Sequence, residues 1–153
     1  MPNTIPARDQ IDPKYAWNAE SVFASVKAWE DEVKKILTDI SSVTTYKSRL
    51  NESPAVLLEA LDSIEDLKRR AEVTYMYAGF SYAVDTTNQQ AAGMRGKAQD
   101  MYGKILAAIS FLNPGIISMG KSKLDEWAQQ EPKLALYSQY LVMMKIFQKD
   151  KFQ

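Results

Sequence analysis

The sequence predicts an all-α fold, an antiparallel helical bundle with two or three long helices and shorter helices at the C-terminal end. Apolar residues recur every three or four positions over long segments, which is the spacing of one face of an α-helix. No window alternates apolar and polar residues with turn signals on both sides, as a half-buried strand would. Short connections between the periodic segments favour antiparallel neighbours.

The first predicted helix begins after Ser25, whose hydroxyl can accept a free backbone amide of the first turn. Two acidic residues precede two lysines, an order that suits the helix dipole and allows ion pairs one turn apart, such as Glu30 with Lys34. Segment 41–45 is expected to weaken the helix, because Ser and Thr compete for backbone hydrogen bonds. Segment 46–52 is expected to add a last turn or a short helix. The apolar stripe consists of Val26, Trp29, Val33, Ile36, Leu37, Ile40 and Val43.

The second helix is predicted from Ser53 as cap and Pro54 at the first helical position, where the missing amide hydrogen has no helical partner to lose. It ends near Val84, because residues 85–88 carry turn and cap chemistry. Lys68 fills the one polar step of the stripe. The stripe itself consists of Leu57, Leu61, Ile64, Ala71, Tyr75, Ala78 and Tyr82.

The third helix is predicted from Gln89 to Leu112, with small residues that would let a neighbouring helix approach closely. Its stripe is Ala91, Met94, Ala98, Met101, Ile105, Ala108 and Leu112, and its small residues are Ala91, Gly93, Gly96, Ala98 and Gly103. Residues 113–115 are expected to interrupt it. Shorter helices follow, one ending at Gly120, one over 122–130 and a last one opened by Pro132. The predicted organisation is an extended segment 1–17, one helical domain 18–147 and a tail 148–153.

From the composition we expect a soluble, single-domain protein: the chain has 153 residues, of which 46% are apolar and 25% are charged. Lys plus Arg equals Asp plus Glu at 19 each, so we expect neither nucleic acid nor a membrane as partner. The absence of Cys suits a reducing compartment, and we expect a cytoplasmic location. No signal-peptide core or bilayer-length apolar stretch is recognisable.

Catalytic chemistry is limited by what the chain lacks. It has no His and no Cys, so the usual general base and the commonest zinc ligands are missing. The segment "GMRGK" has the wrong spacing for a phosphate-binding loop. Four carboxylates could in principle collect a divalent ion, but no Glu-x-x-His pattern accompanies them; they are Asp62, Glu65, Asp66 and Glu72. We therefore predict no catalytic, cofactor-binding or metal-binding residue in this chain, and interpret helical pairs such as Glu65 with Arg69 as a solvated face.

Aromatic residues crowd two places, the start of the first helix and the end of the second. They are Trp17, Phe23, Trp29, Tyr75, Tyr77, Phe80 and Tyr82. A stacking surface for single-stranded nucleic acid would need basic residues beside them, and "FSYAV" contains none. Core packing with polar tips at the surface is the favoured interpretation.

Several segments together resemble oligoendopeptidase F, a bacterial zinc metallopeptidase of the thimet oligopeptidase group. "IDPKYAWNAESVFASVKAWEDEVKKI" is similar to its amino-terminal opening through Tyr15, Trp17, residues 22–25 and the pair Trp29-Glu30. "YKSRL", "SPAVLLEAL", "TYMYAGFSYAVDTTN", "ISFLNPGI" and "KLDEWAQQEPKLALYSQYL" continue the likeness in order. The resemblance extends from about Ile11 to Leu141.

The resemblance implies a non-catalytic amino-terminal helical domain that helps enclose the oligopeptide-binding channel of a full enzyme. In that family the zinc and its His-Glu-x-x-His motif lie far downstream in a larger domain, so no catalytic residue carries over to this chain. Peptide would then be a ligand only in the context of the full enzyme. The alternative is a free-standing helical protein-interaction module that keeps the fold.

Two further expectations follow from the helical stripes. Leu61, Ile64, Met101 and Ile105 should be buried between the two long helices. If the domain evolved against a larger one, apolar surface should be left exposed, either on segment 141–147 or around Tyr77 and Phe80. We therefore expect a homo-oligomer built on both of those surfaces, most simply with two-fold symmetry. The alternative is a monomer in which the last helix folds back and covers its own neighbours, with Met143, Met144 and Phe147 packed internally.

Overall fold

A computed structural model describes residues 10–149, without the side chains of residues 13 and 147–149. It contains six α-helices: α1 (Val26–Thr44), α2 (Pro54–Val84), α3 (Gln89–Ala108), α4 (Leu112–Met119), α5 (Lys121–Gln130) and α6 (Ser138–Lys149). Short 3-10 helices occur at Pro13–Tyr15, Ala19–Ser21, Thr45–Ser48 and Pro132–Tyr137. No strand occurs within residues 10–149. The predicted all-α class is confirmed.

The predicted terminal segments fall partly outside these residues. Positions 1–9 of the predicted extended segment and 150–153 of the predicted tail lie outside the described residues. Within the remainder, Pro13–Tyr15 forms a 3-10 turn, with the backbone N–H of Tyr15 donating to the carbonyl of Asp12 at 2.9 Å. At the other end α6 continues to Lys149, two residues beyond the predicted domain boundary at 147.

Helices α1, α2 and α3 pack against one another in all three pairs and form a three-helix bundle. Trp29 lies beside Thr74, and Tyr46 reaches Glu59, so α1 and α2 run in opposite directions. Tyr75 contacts Tyr102 with ring centroids 5.2 Å apart. The Arg95 guanidinium lies 4.8 Å from the Tyr82 ring centroid, so α2 and α3 are also antiparallel.

The predicted helix starts are confirmed by side-chain capping bonds. The hydroxyl of Ser25 accepts the backbone N–H of Ala28 at 3.1 Å, and that of Ser53 accepts the N–H of Val56 at 3.2 Å. Asn88 caps α3 in the same way. Each bond satisfies an amide that the helix itself leaves without a partner. In the preceding turn, the Thr87 hydroxyl and amide donate to the Asp85 carboxylate and hold the pKa of that carboxyl below its ordinary value.

The predicted end of the first helix is confirmed: α1 ends at Thr44, inside segment 41–45, and the short 3-10 helix Thr45–Ser48 follows it. The hydroxyls of Ser41, Thr44 and Thr45 donate to backbone carbonyls three residues earlier.

Two other predicted boundaries are wrong. α3 ends at Ala108, and residues 113–115 lie inside α4, where Pro114 occupies the first turn and so costs no hydrogen bond. Pro132 opens a 3-10 helix before α6 begins at Ser138.

The core contains the four residues predicted for it. Leu61, Ile64, Met101 and Ile105 are all buried. The predicted stripe of α2 is too narrow, however, because this helix packs against both α1 and α3 and therefore buries a wider face. Its buried residues are Leu57, Ala60, Leu61, Ile64, Leu67, Ala71, Thr74, Tyr77 and Ala78, whereas Lys68, Tyr75 and Tyr82 are only partly buried.

The glycines of α3 do not serve a close helix contact. A Cβ added at Gly93, Gly96 or Gly103 would meet nothing within 4 Å, and all three positions are exposed. The close approach occurs at Gly115 in α4, where an added Cβ would lie 2.7 Å from Cδ1 of Leu50. The only close approach among these glycines is therefore to a side chain in the turn before α2, not to a neighbouring helix. Ala91 and Ala98 are the buried small residues of α3.

Helices α4, α5 and α6 form a second group beside the three-helix bundle, named here the cap. Within it α4 packs on α6, and α5 contacts α2 of the bundle. Gly120 joins α4 to α5 at φ 82° and ψ 154°, a conformation that residues other than Gly rarely adopt. The Asp125 carboxylate receives hydrogen bonds from Lys145 and Lys121, which hold its pKa below the ordinary value and tie α5 to α6. In the described chain, no single helix has the length and hydropathy of a membrane span; one pair, bent by 99°, meets the criteria only when taken together.

Candidate functional site

The acidic residues considered as metal ligands are engaged separately. Asp62 accepts a hydrogen bond from the Tyr137 hydroxyl at 2.6 Å, and Glu65 pairs with Lys68 at 3.2 Å. Asp66 pairs with Arg69 at 2.7 Å, so the predicted partners of Glu65 and Arg69 are wrong. Glu72 is exposed on α2. Across residues 10–149, no group of three or more Asp or Glu side chains is arranged to hold a metal ion.

Two other sequence features are also structural. The segment "GMRGK" lies within α3, so it cannot form the loop that cradles a phosphate. Its Lys97 extends to α1 and donates to Glu30 at 2.7 Å, which replaces the predicted Glu30–Lys34 pair. The aromatic residues near the two helix ends pack edge-to-face: Trp17 lies 5.5 Å from Phe80 and Phe23 lies 5.0 Å from Tyr77, measured between ring centroids.

An interhelical ion-pair cluster fixes α1 against α2. The guanidinium of Arg70 donates to Glu32 and Asp39 of α1, each at 2.7 Å, and also lies 3.8 Å from Asp66. A turn further along, the indole N–H of Trp29 donates to the Thr74 carbonyl at 2.9 Å in a fully buried contact. These groups hold α1 and α2 in one relative position, so their role in the described chain is structural.

An open groove separates α2 and α3 from the segment that leads into α6, and it has a volume of about 800 Å³. Its walls are mainly apolar and include the exposed side chains of Leu106, Leu136 and Met143. The charged residues at its margin are Glu65 and Lys68, which pair with each other. The groove is therefore suited to accommodate an apolar segment rather than to bind an ion.

The phenol groups of two tyrosines that line the groove stay protonated at neutral pH. The Tyr137 hydroxyl donates to Asp62 and the Tyr140 hydroxyl donates to the Asn113 side-chain oxygen at 2.5 Å. Burial raises the pKa of Tyr140 to about 12, and burial together with the Asp62 bond raises the pKa of Tyr137 further. Neutral phenols of this kind donate hydrogen bonds but do not act as general bases near neutral pH.

The groove lies beside a segment for which the sequence predicted exposed apolar surface. In segment 141–147, Val142, Met143 and Ile146 are exposed while Leu141 and Met144 are buried. The side chain of residue 147 lies outside the described residues. At the second predicted surface, Phe80 is exposed but Tyr77 is buried, because Trp17 and Phe23 pack on its ring. The groove itself was not predicted, since it depends on how α6 is placed.

Comparison with characterised proteins finds similarity to bacterial oligopeptidases. The chain is 30% identical over 136 residues to oligopeptidase PepF of Bacillus subtilis and 30% identical over 133 residues to group B oligopeptidase PepB of Streptococcus agalactiae. These matches cover 89% and 87% of the chain. The plasmid-encoded oligoendopeptidase F of Lactococcus lactis is 25% identical over 131 residues. This chain is homologous to part of oligoendopeptidase F.

The chain spans about a fifth of the length of these relatives, 20% of the Bacillus subtilis protein and 22% of the Streptococcus agalactiae one. The crystal structure of oligoendopeptidase F from Enterococcus faecium has the same fold over 78% of the chain, with a TM-score of 0.72 and 22% identity, and the match covers 24% of that structure. No protein-family model matches the sequence.

Zinc chemistry does not fit the residues of this chain. The whole sequence contains neither His nor Cys, so a His-Glu-x-x-His motif cannot be part of it. Within the described part of the chain, the carboxylates nearest to the groove are each held by a Lys, Arg or Tyr partner. No catalytic step can therefore be assigned to a metal held by these residues.

Proposed function

We propose that this helical domain is the non-catalytic amino-terminal part of an oligoendopeptidase-F-like zinc metalloendopeptidase, in which it helps to enclose the oligopeptide-binding channel. The observation that carries the proposal is the 30% identity to two peptidases over nearly the whole chain, combined with coverage of only about a fifth of each of them. The zinc, its ligands and the catalytic base would belong to the remaining four-fifths. A cytoplasmic location is part of the same proposal.

The contacts between the long helices support a role as a rigid wall. Arg70 joins Glu32 and Asp39 across the α1–α2 contact, and Trp29 is bonded to the Thr74 carbonyl deeper in the same contact. A channel wall has to keep its shape while peptides enter and leave, because misplacing a substrate by about 1 Å can cost roughly a hundred-fold in rate. Paired, partly buried charges and a fully buried Trp provide such rigidity.

The alternative function is that of a free-standing helical interaction module. The specific observation in its favour is the apolar groove with Leu106, Leu136 and Met143 exposed along it. Contiguous apolar surface on a folded protein commonly marks a site of association. This alternative needs no peptidase domain and predicts a partner that covers the groove.

A chimera distinguishes the two functions. The segment of Bacillus subtilis PepF that matches this chain would be replaced by this chain, and hydrolysis of a quenched fluorescent oligopeptide would be measured. We expect the chimera to recover a substantial fraction of the parent activity, whereas a matched deletion of the same segment should lose it. The isolated chain should not cleave the peptide or retain zinc after dialysis, because it has no His or Cys.

Two results would contradict the proposal. One is a folded chimera that is no more active than the deletion variant, which would favour the interaction module. The other is chelator-sensitive cleavage by the isolated chain. Circular dichroism and size-exclusion chromatography of the chimera would show whether a loss of activity reflects failure to fold.

A further inference from the structure

Helix α6 and the groove beside it carry an apolar surface, named here the α6 surface. Its exposed members are Leu106, Leu136, Val142, Met143 and Ile146. Leu106, Leu136 and Met143 line the groove. Val142 and Met143 share the outer side of α6 with Ile146, since residues three and four apart lie on one helix face.

α6 is apolar on two opposite sides. Leu141 and Met144 are buried against the rest of the chain, whereas Val142, Met143 and Ile146 lie on the other side and are exposed. A helix at a protein surface ordinarily presents polar residues to water, and a helix that is apolar all round is ordinarily buried. The outer side of α6 therefore has the composition of a covered surface.

We propose that the α6 surface is the docking face for an apolar helix from the part of the peptidase that lies outside this chain, and that the groove does not receive the oligopeptide. This inference rests on the proposed function and adds which face of the domain the rest of the enzyme contacts. The length of the relatives supports it. The chain spans 20% and 22% of the two peptidases to which it is 30% identical, so most of each polypeptide lies outside the matched part.

The area of the α6 surface fits a contact within one polypeptide better than a contact between two. At their observed exposures, its five side chains present on the order of 500 Å² of apolar area, and covering them would bury on the order of 1,000 Å² over both sides. Contacts between domains of one chain bury about 600–1,500 Å², whereas specific contacts between separate proteins bury about 1,200–2,000 Å². A covalent connection also raises the effective concentration of the occupant, so a smaller contact is sufficient.

The polar groups of the groove favour a helix over an extended peptide as the occupant. Most polar side chains that line it already have a partner within the chain; these are Glu65, Lys68, Ser110, Asn113, Tyr137 and Tyr140. The exposed amide of Gln139 can pair with one or two backbone groups but not with a row of them. An extended peptide needs such a row, because burying backbone N–H and C=O groups without partners is costly. A helix satisfies its own backbone and can lie in an apolar groove.

A second apolar stripe, on α2, provides the internal control. It consists of Val73, Met76, Phe80 and Val84, spaced along one helix face. Met76 is 47% exposed and Met143 is 48% exposed, so the two methionine side chains start from a similar exposure in the isolated chain. The proposal requires that the rest of the enzyme covers Met143 and leaves Met76 as it is.

The first experiment measures how fast hydrogen peroxide oxidises the two methionines, with mass spectrometry of proteolytic peptides as the readout. In the isolated chain, Met143 and Met76 should form the sulfoxide at similar rates, because their exposures match. In the Bacillus subtilis PepF chimera described above, Met143 should be oxidised about ten-fold more slowly or less, because the docked helix covers its thioether. Met76 should keep its rate.

Three results of this experiment would overturn the inference. The first is an equal oxidation rate for Met143 in the chimera and in the isolated chain; if that chimera hydrolyses the oligopeptide, the proposed function stands while the docking face is refuted. The second is protection of Met143 in the isolated chain that increases with protein concentration, which would assign the surface to a second copy. The third is protection of Met143 in the isolated chain by the oligopeptide of the activity assay, which would assign the groove to the substrate.

The second experiment compares Met143→Glu with Met76→Glu by thermal unfolding followed by circular dichroism. In the chimera, Met143→Glu should lower the unfolding midpoint by several degrees, because it buries an unpaired charge in the contact. In the isolated chain the same substitution should leave the midpoint unchanged, since the position is exposed there. Met76→Glu should leave both proteins unchanged. A loss in the chimera with Met76→Glu but not with Met143→Glu would place the contact on α2 and refute the proposal.

Discussion

Helices α1 and α6 both have apolar residues at helical spacing, but their outer faces differ. Within α1, whose residues are all described, the large apolar side chains are buried or half-buried and the outer face carries charges, such as Lys27 paired with Asp31 at 2.5 Å. α6 buries Leu141 and Met144 yet exposes apolar residues on its other side. A periodic stripe thus predicts which face of a helix packs inward, but it does not predict whether the opposite face is polar, as in α1, or partly apolar, as in α6.

The largest expected effect concerns the inner face of α1. Trp29→Ala should lower the free energy of unfolding by about 3–5 kcal/mol, because it removes a fully buried ring and leaves a cavity between α1 and α2. Trp29→Phe should cost less, since it keeps an aromatic ring and loses only the bond to the Thr74 carbonyl. Denaturant unfolding followed by circular dichroism is the measurement.

A matched variant in the cap tests how far this result is specific to α1. Trp127 of α5 is also buried, but Lys123 covers its ring from the solvent side at 4.5 Å and can relax into vacated space. Trp127→Ala should therefore cost less than Trp29→Ala. Equal losses would contradict the view that the α1–α2 contact is the more tightly packed of the two.

The next effect concerns the 3-10 helix that leads into α6, where two leucines stand two residues apart. Leu134 is 1% exposed and Leu136 is 81% exposed. Leu134→Ala should lower the free energy of unfolding by about 2–5 kcal/mol, whereas Leu136→Ala should change it by less than about 0.5 kcal/mol. Denaturant unfolding of the two variants, followed by circular dichroism, is the measurement. Comparable losses for both variants would show that Leu136 packs within its own chain and that its description as an exposed side chain is wrong.

The smallest effect concerns pH. Burial raises the pKa of Tyr140 from 10.0 to about 12, so the fold favours the protonated phenol. Its contribution to stability is therefore fully present below pH 10 and is lost as the pH rises through about 12. Tyr140→Phe should show a smaller alkaline loss of stability than the unmodified chain. The control is Tyr15→Phe, because the Tyr15 side chain is exposed. If Tyr140→Phe lost stability at alkaline pH to the same extent as the unmodified chain, the contribution assigned to Tyr140 would be refuted.

Much of the fold could be predicted from local chemistry. Ser25, Ser53 and Asn88 mark helix starts because a capping bond is formed within three residues of the cap, so the relevant atoms are adjacent in sequence. The all-α class follows from periodicity in the same way. The relationship to oligoendopeptidase F also depended on short ordered segments, and the 30% identity to two relatives bears it out.

Features that depend on long-range packing were not predicted. Leu67 is buried because α2 packs against two helices, which its own stripe does not reveal. Lys97 pairs with Glu30 across 67 residues of sequence rather than with a neighbour on its own helix. The groove likewise depends on how residues 136–143 are placed relative to α2, α3 and α4. Each of these results from the arrangement of whole helices rather than from local sequence.

Because the Trp29 indole N–H is hydrogen-bonded to the Thr74 carbonyl, its hydrogen-exchange rate reports on local opening of the α1–α2 contact. The indole proton is buried between α1 and α2, in a hydrogen bond that joins residues 45 positions apart in sequence, so it can exchange with deuterated solvent only when α1 separates from α2. The rings of Trp17 and Trp127 lie outside this contact and provide reference signals in the same nuclear magnetic resonance spectrum. Comparing the three exchange rates would measure how often α1 separates from α2, without any substitution in the protein.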